Sequence, residues 1–347
     1  MNRSEWEKTL DKGLKGDRLG SHSEIIDLFS GCGGLSLGFQ AAGFETIKGF
    51  DSWDAAVRTY NMNFAHNAEI VDLSDVDASI DRLSVYQVGS NFPSIVGGPP
   101  CQDFSMAGRR TEGKNAALTS SFAHLVSNFR PLFFLMENVP NAQRFETYNA
   151  ALESVRQSGY EVTLRILDAS DFGAPQRRKR LFAFGSTDPY LTELFGEEID
   201  AERSAALEKI QDQGRTTVRE WLDDLELTPI YYRHPRSYNR RGLFSVDEPS
   251  PTIRGVNRPM PKTYNFNDMD KAVPGFYELA DPKMIQPLSA DLRKQIQTFP
   301  KHFRLPGPKT TNEQLVGNAV PVLLAYIVAT ALRRAIERRD QPESSDL

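Results

Sequence analysis

Asp27-Leu-Phe-Ser-Gly-Cys-Gly-Gly34 joins the apolar run at residues 25–29 to an amphipathic stretch. Its small residues let a backbone approach a ligand closely, and the helix after it offers free amides at its N-terminus. A dinucleotide fingerprint needs G-x-G-x-x-G, but Ser36 stands at the third glycine position. A structural turn therefore stays open, and a nucleoside cofactor without a pyrophosphate fits as well as NAD. Working outward, further apolar runs lie at 47–50, 94–96, 132–136 and 181–184, with a shorter one at 70–71. Their lengths suit buried strands, and helical stretches separate them. This rhythm predicts an α/β, Rossmann-like, doubly wound and mostly parallel sheet. Ligands then bind at the carboxyl ends of the strands.

Asp51 follows the second run about 20 residues after the loop, where an acid usually grips ribose hydroxyls. Trp53 is placed to cover an adenine face, and Asp72 to accept from an adenine amino group. After the run at 94–96 comes Gly97-Gly-Pro-Pro-Cys-Gln102, and after that at 132–136 comes Glu137-Asn138-Val139-Pro140. A cysteine framed by prolines beside a carboxyl on the neighbouring strand reads as a nucleophile with its acid, Cys101 with Glu137. Gln176-Arg-Arg-Lys-Arg180 begins the last run. Alternation puts Gln176, Arg178 and Arg180 on one face and Arg177 and Lys179 on the other.

The chain has 347 residues and two cysteines, Cys32 and Cys101, which excludes a disulfide framework. No signal-peptide core precedes residue 24, and the apolar run at 321–332 is short for a membrane span. A soluble, cytoplasmic protein is expected. The net charge of −5 argues mildly against a nucleic-acid partner, but its distribution does not. Residues 191–228 carry 11 acids against 4 bases; residues 229–262 carry 7 bases against Asp247 and Glu248, with Tyr231, Tyr232, Tyr238 and Phe244 interleaved. The acidic stretch reads as a solvated helical face, the basic one as loop-rich.

In order and spacing, these motifs resemble the DNA (cytosine-5)-methyltransferases, chiefly the bacterial modification enzymes of restriction-modification systems, from about residue 24 to 335. Asp27–Gly34, Pro99-Pro-Cys-Gln102, Glu137-Asn-Val139, Gln176-x-Arg178-x-Arg180 and Gln314-Leu-Val-Gly-Asn-Ala-Val-Pro321 carry the likeness. The resemblance implies S-adenosylmethionine as donor and a flipped cytosine in double-stranded DNA as acceptor, with no metal. It implies Cys101 adding to carbon 6, Glu137 at ring nitrogen 3, Asn138 holding the Pro-Cys loop, Arg180 on the cytosine carbonyl and Arg178 steadying Glu137. Phe29, Gly31, Gly33, Leu35, Asp51, Trp53, Asp72, Pro99 and Leu118, with Asn318 and Val320, fall on cofactor-side positions.

The same resemblance assigns residues 1–189 to the catalytic domain, 190–285 to target recognition and 286–347 to a returning catalytic segment. Thr252 matches a phosphate-binding Thr; Gln102 and Ser105 fall on the DNA side, and residues 103–117 on a closing loop. Arg240, Arg241, Arg254 and Arg258 are candidates for guanine edges. A monomer, with a cognate restriction endonuclease acting on the same site, is the expected context. Three departures stand out: Ser52 where a bulky residue is usual, Lys114-Asn-Ala in place of Asp-x-Arg, and Gln286 and Leu292 for the usual Arg and Glu. The Cys-Phe-Thr signature of tRNA-directed relatives is missing, since no cysteine follows Cys101.

Overall fold

The computed structural model describes the chain apart from residues 1, 17, 101–113, 224–225, 280, 282–284 and 342–347. Its strands are β1 (Glu24–Leu28), β2 (Glu45–Asp51), β3 (Ala68–Ile70), β4 (Ser94–Gly97), β5 (Phe133–Asn138), β6 (Glu161–Asp168), β7 (Gln176–Arg177), β8 (Lys179–Ser186), β9 (Ile230–Tyr232), β10 (Leu243–Ser245) and β11 (Ser250–Pro251). Seven form one sheet in the order β3-β2-β1-β4-β5-β8-β6. β3, β2, β1, β4 and β5 run parallel, while β8 is antiparallel to both β5 and β6. The chain moves outward from β1 to β2 and β3, then returns to β4 on β1's other side. This reversal opens a crevice at the carboxyl ends of β1, β2 and β4.

Both faces of the sheet are covered, which is why the strands read as continuous apolar runs. Ile25, Val96, Leu135 and Phe184 face one core; Ile26, Ile95, Phe134 and Met136 face the other. The run at 181–184 is β8, the reversed strand. Its antiparallel partner β6 was not among the expected strands. Glu161-Val-Thr-Leu-Arg-Ile-Leu-Asp168 lies at the sheet edge and is mostly half-exposed, so it carries no continuous apolar run.

The first core also takes in both ends of the chain. Trp6, on the helix Arg3–Lys15, is fully buried and donates through Nε1 to the Thr298 carbonyl at 2.8 Å. Burying such a ring stabilises the fold by roughly 1.5–3 kcal/mol. The helix Val322–Asp340 buries Val322, Leu323, Leu324 and Val328 in the same cluster.

The acidic stretch packs differently from the boundary drawn at residue 190. The helix Pro189–Gln213 buries Leu191, Leu194, Phe195 and Ile199 in the first core of the main sheet, where Val218 and Trp221 also lie. Its acids face outward, where Glu198 takes Arg338 at 2.7 Å and Glu202 takes Arg334. A separate small core forms from Ile230, Tyr232, Leu243, Val273, Phe276 and Ile285, around the β9–β10 hairpin. This small core draws on residues between 230 and 285, while Tyr231, Val246 and Ile253 from the same stretch join the core on the main sheet.

Candidate active site

The crevice holds a cavity of about 450 Å³. At the end of β1 the chain turns sharply at Phe29, held at φ 59°, a conformation costly for a residue with a side chain. Phe29 and Gly31 line the cavity, and the Gly31 amide donates to Asp51 Oδ2 at 2.8 Å. Asp51 Oδ1 accepts from the Trp53 amide, also at 2.8 Å. Burial raises the Asp51 pKa against the opposing pull of these amides. Leu35, Trp53, Asp72, Pro99 and Leu118 share the wall with Asn318 and Val320 from the far end of the chain. Asp72 is exposed; Ser74 donates to it through hydroxyl and amide, which lowers its pKa.

Gly33 is not on the wall. It caps the helix Gly34–Ala41 at φ 95°, and a Cβ there would meet the Phe64 ring at 2.3 Å. Gly34 is on the wall, and a Cβ would stand 2.4 Å from the Val320 carbonyl. The helix N-terminus can abut the C-terminal segment only because this residue lacks a side chain.

Asp27 also lines the cavity, from a buried position on β1. Burial pushes its carboxyl up to about 7, against the hydrogen bond that Ser36 donates to it. Tyr60 donates to Ser36 at 2.8 Å and meets His66 Nε2 at 2.7 Å, so a buried polar chain backs the cofactor-side wall.

The catalytic end rests on three strands. Glu137, near the end of β5, and Arg178 and Arg180, around the start of β8, all line the cavity. Arg180 Nε pairs with Glu137 Oε1 at 2.6 Å, with both side chains nearly buried. Burial raises the Glu137 pKa, and Arg180 and Arg178 only partly oppose it. Asn138 Nδ2 donates to the Pro99 carbonyl at 3.4 Å, which ties the Pro-Cys loop to β5. Pro100 is on the wall, whereas Cys101, Gln102 and Ser105 lie outside the described residues.

Arg178 ties together segments distant in the chain. Fully buried, it donates to the Ile253 carbonyl at 2.8 Å and to the Gly317 and Ala319 carbonyls at 2.9 Å. Gln176 accepts from the Ile253 amide at 2.7 Å and donates to Gln297, which donates in turn to the Val316 and Ala319 carbonyls. Arg178 and Gln176 thus clamp segments some 75 and 140 residues away in sequence around the cavity. Alternation is as read: Gln176 and Arg178 are buried, Arg177 and Lys179 exposed.

A cleft closed by these motifs matches known proteins throughout. The profile of the C-5 cytosine-specific DNA methylases matches residues 23–334. The type II methyltransferase M.HindV of Haemophilus influenzae is 44% identical over 314 residues, covering 89% of this chain and 96% of that protein. M.HgiDI of Herpetosiphon aurantiacus is 41% identical over 325 residues, covering 93% and 97%. The chain belongs to the C-5 cytosine-specific DNA methylase family. It is a DNA (cytosine-5-)-methyltransferase of the restriction-modification type. The fold agrees: a prophage-encoded putative DNA modification methyltransferase of E. coli superposes with TM-score 0.60 at 21% identity over 90% of this chain and 99% of its own. The Dnmt2 methyltransferase of S. pombe gives 0.61 at 15% identity over 92% and 99%.

The structure separates the arginines that sequence expects on a DNA side. Arg241 is held internally: it pairs with Glu248, donates through Nε to the Leu243 carbonyl and lies 4.7 Å from the centre of the Phe244 ring. Arg240, Arg254 and Arg258 are exposed. Thr252 donates to the Arg177 carbonyl at 2.8 Å and lines a second, open cleft with Arg177, Lys179 and Arg215. The sequence reading missed Asp27, Gly34, Gln176 and Gln297 as site residues. The first two lay within the glycine-rich motif, but nothing local in sequence marks Gln297.

Proposed function

We propose that the enzyme transfers a methyl group from S-adenosylmethionine to carbon 5 of a cytosine flipped out of a specific double-stranded DNA sequence, through a covalent adduct with Cys101. The observation that carries this reading is the shared cavity: the wall with Asp51 and Trp53 continues into the Glu137–Arg180 pair. A donor and a base bound in it would meet.

The residues present suit a nucleoside with an amino-acid tail. Asp51 would accept from ribose hydroxyls, Trp53 would cover the adenine, and Asp72 would take its amino group. Phe29, Gly31, Leu35, Pro99, Leu118, Asn318 and Val320 would complete the contacts. When bound, S-adenosylmethionine supplies an electrophilic methyl group on sulfur.

Carbon 5 of cytosine is a poor nucleophile by itself. The Cys101 thiolate adds to carbon 6 while Glu137 gives a proton or hydrogen bond to ring nitrogen 3, making an enamine nucleophilic at carbon 5. After methylation a base removes the carbon 5 proton, the carbon 6–sulfur bond breaks, and the thiolate is regained. Burial favours the neutral form of Glu137 that this step needs. Arg180, already on Glu137, would also face the cytosine carbonyl. Asn138 holds the loop that carries Cys101.

Lobe 230–285 is the proposed recognition module. A monomer acting alongside an endonuclease with the same site completes the reading. The test is methylation of host DNA, read by bisulfite sequencing, with Cys101→Ala beside the wild type. The expected result is methylcytosine in one sequence context, abolished in the variant. Wild-type methylation that survives Cys101→Ala overturns the adduct.

A further inference from the structure

We infer that Arg233 and Arg254, with Asn257 beside them, form a socket for one backbone phosphate of the DNA duplex, at the joint between the recognition lobe and the catalytic domain. This rests on the DNA methyltransferase reading above and adds a residue, Arg233, that no motif singles out. Tyr231, Arg233, Ser250, Arg254, Asn257 and Arg293 line a small pocket. Arg293 is already matched, by Glu313 at 3.8 Å and the Leu288 carbonyl at 3.0 Å. Arg233 and Arg254 are not: neither guanidinium has a hydrogen-bond or ion-pair partner among the described residues.

Arg233 is half-buried and Arg254 stands beside it at the exposed rim; like charges this close, with no acid on them among the described residues, are costly unless a ligand supplies the counter-charge. Burial, then Arg254, pushes the Arg233 guanidinium down to about 9; burial, then Arg236 and Arg240, lowers Arg254. A guanidinium keeps its proton in a protein, so this is unmet positive charge rather than titration.

Size argues for phosphate over base. The cavity, about 20 Å³, holds about one water-sized group, the size of one anionic oxygen.

The mounting is rigid. The Arg233 amide donates to the Gly242 carbonyl at 2.8 Å. Arg254 follows Ile253, whose amide and carbonyl are held by Gln176 and Arg178. Arg178 also lines the catalytic cavity. A phosphate seated here would set the duplex in register with that cavity, positioning it without reading sequence.

The test measures binding of the full-length protein to two duplexes, one with the site found by bisulfite sequencing and one permuted, from 50 to 200 mM salt. Arg233→Gln and Arg254→Gln are each expected to weaken both duplexes alike, roughly tenfold at 0.1 M salt, and to reduce the salt slope by about one phosphate. Arg233→Lys restores most of the slope, which a folding defect would not allow. Loss confined to the site-bearing duplex, or an unchanged slope, overturns the socket. So does saturable inorganic phosphate binding that leaves DNA affinity untouched at constant ionic strength, since the socket would then belong to a free anion. If wild-type protein binds neither duplex, the DNA reading itself fails; if only the variants behave as wild type, the socket alone fails.

Discussion

In the catalytic half, Arg178 and Arg180 are satisfied from within: one by three backbone carbonyls, the other by Glu137. In the lobe around the β9–β10 hairpin, Arg233 and Arg254 stand beside further arginines, with no acid to meet them among the described residues. Arg241 is the exception there, paired with Glu248 and stacked on Phe244. The same side chain therefore does two jobs. Where its charge closes on the chain it fixes geometry; where it does not, it calls for a ligand.

Glu137→Gln tests the first half most severely. Methyl transfer is expected to fall by about 10²–10⁴-fold, the range for a positioned acid, while binding of labelled S-adenosylmethionine persists. The pH profile gives the sign. Burial holds the Glu137 pKa above that of a free carboxyl, so the neutral acid is present at low pH and disappears as pH rises through the raised value. Wild-type kcat should lose that contribution on its alkaline side, whereas Glu137→Gln should show no such limb. An unchanged limb in the variant would assign it to another group.

Arg178→Met comes next. It leaves the Ile253, Gly317 and Ala319 carbonyls without their donor in the interior. A loss of about 3–5 kcal/mol is expected, the scale for breaking a buried charged network, read as a lowered denaturant midpoint. A neutral result would mean that these segments do not depend on the clamp.

Gly34→Ala is smaller and more local. Its Cβ would press on the Val320 carbonyl, at a cost of about 1–3 kcal/mol. Weaker donor binding with little change in DNA affinity is the expected pattern from equilibrium titrations. Arg241→Ala is the mildest, at about 1 kcal/mol or less in lobe stability, for a part-exposed pair and a ring contact. Because its charge is already met, the salt slope of DNA binding should stay as in wild type. A reduced slope would break the division between internally and externally matched arginines.

Much of this was legible from sequence because it is local. Phe29, Gly31 and Leu35 belong to one turn, Asp51 and Trp53 to the next strand end, and Glu137 and Asn138 to a third. Each is fixed by apolar runs that can only be buried strands. What sequence hid has a physical reason in each case. β6 is an edge strand, so its residues need not be apolar throughout. The helix Pro189–Gln213 is acidic on the side that faces solvent, and composition counted that side while packing depends on Leu191, Leu194 and Phe195. Gln297 has no motif of its own; its value arises from hydrogen bonds to Gln176 and to carbonyls at 316 and 319.

From sequence alone came the α/β class and the family, since these depend on residue type at short spacing and on the order of motifs. The tertiary structure alone decided which arginines are used up inside the fold and which are left for a ligand. A charge is neutralised by whatever lies within a few ångströms of it, and for Arg178, Arg233 and Arg254 those neighbours are set by the packing of distant segments, not by the residues beside them in the chain.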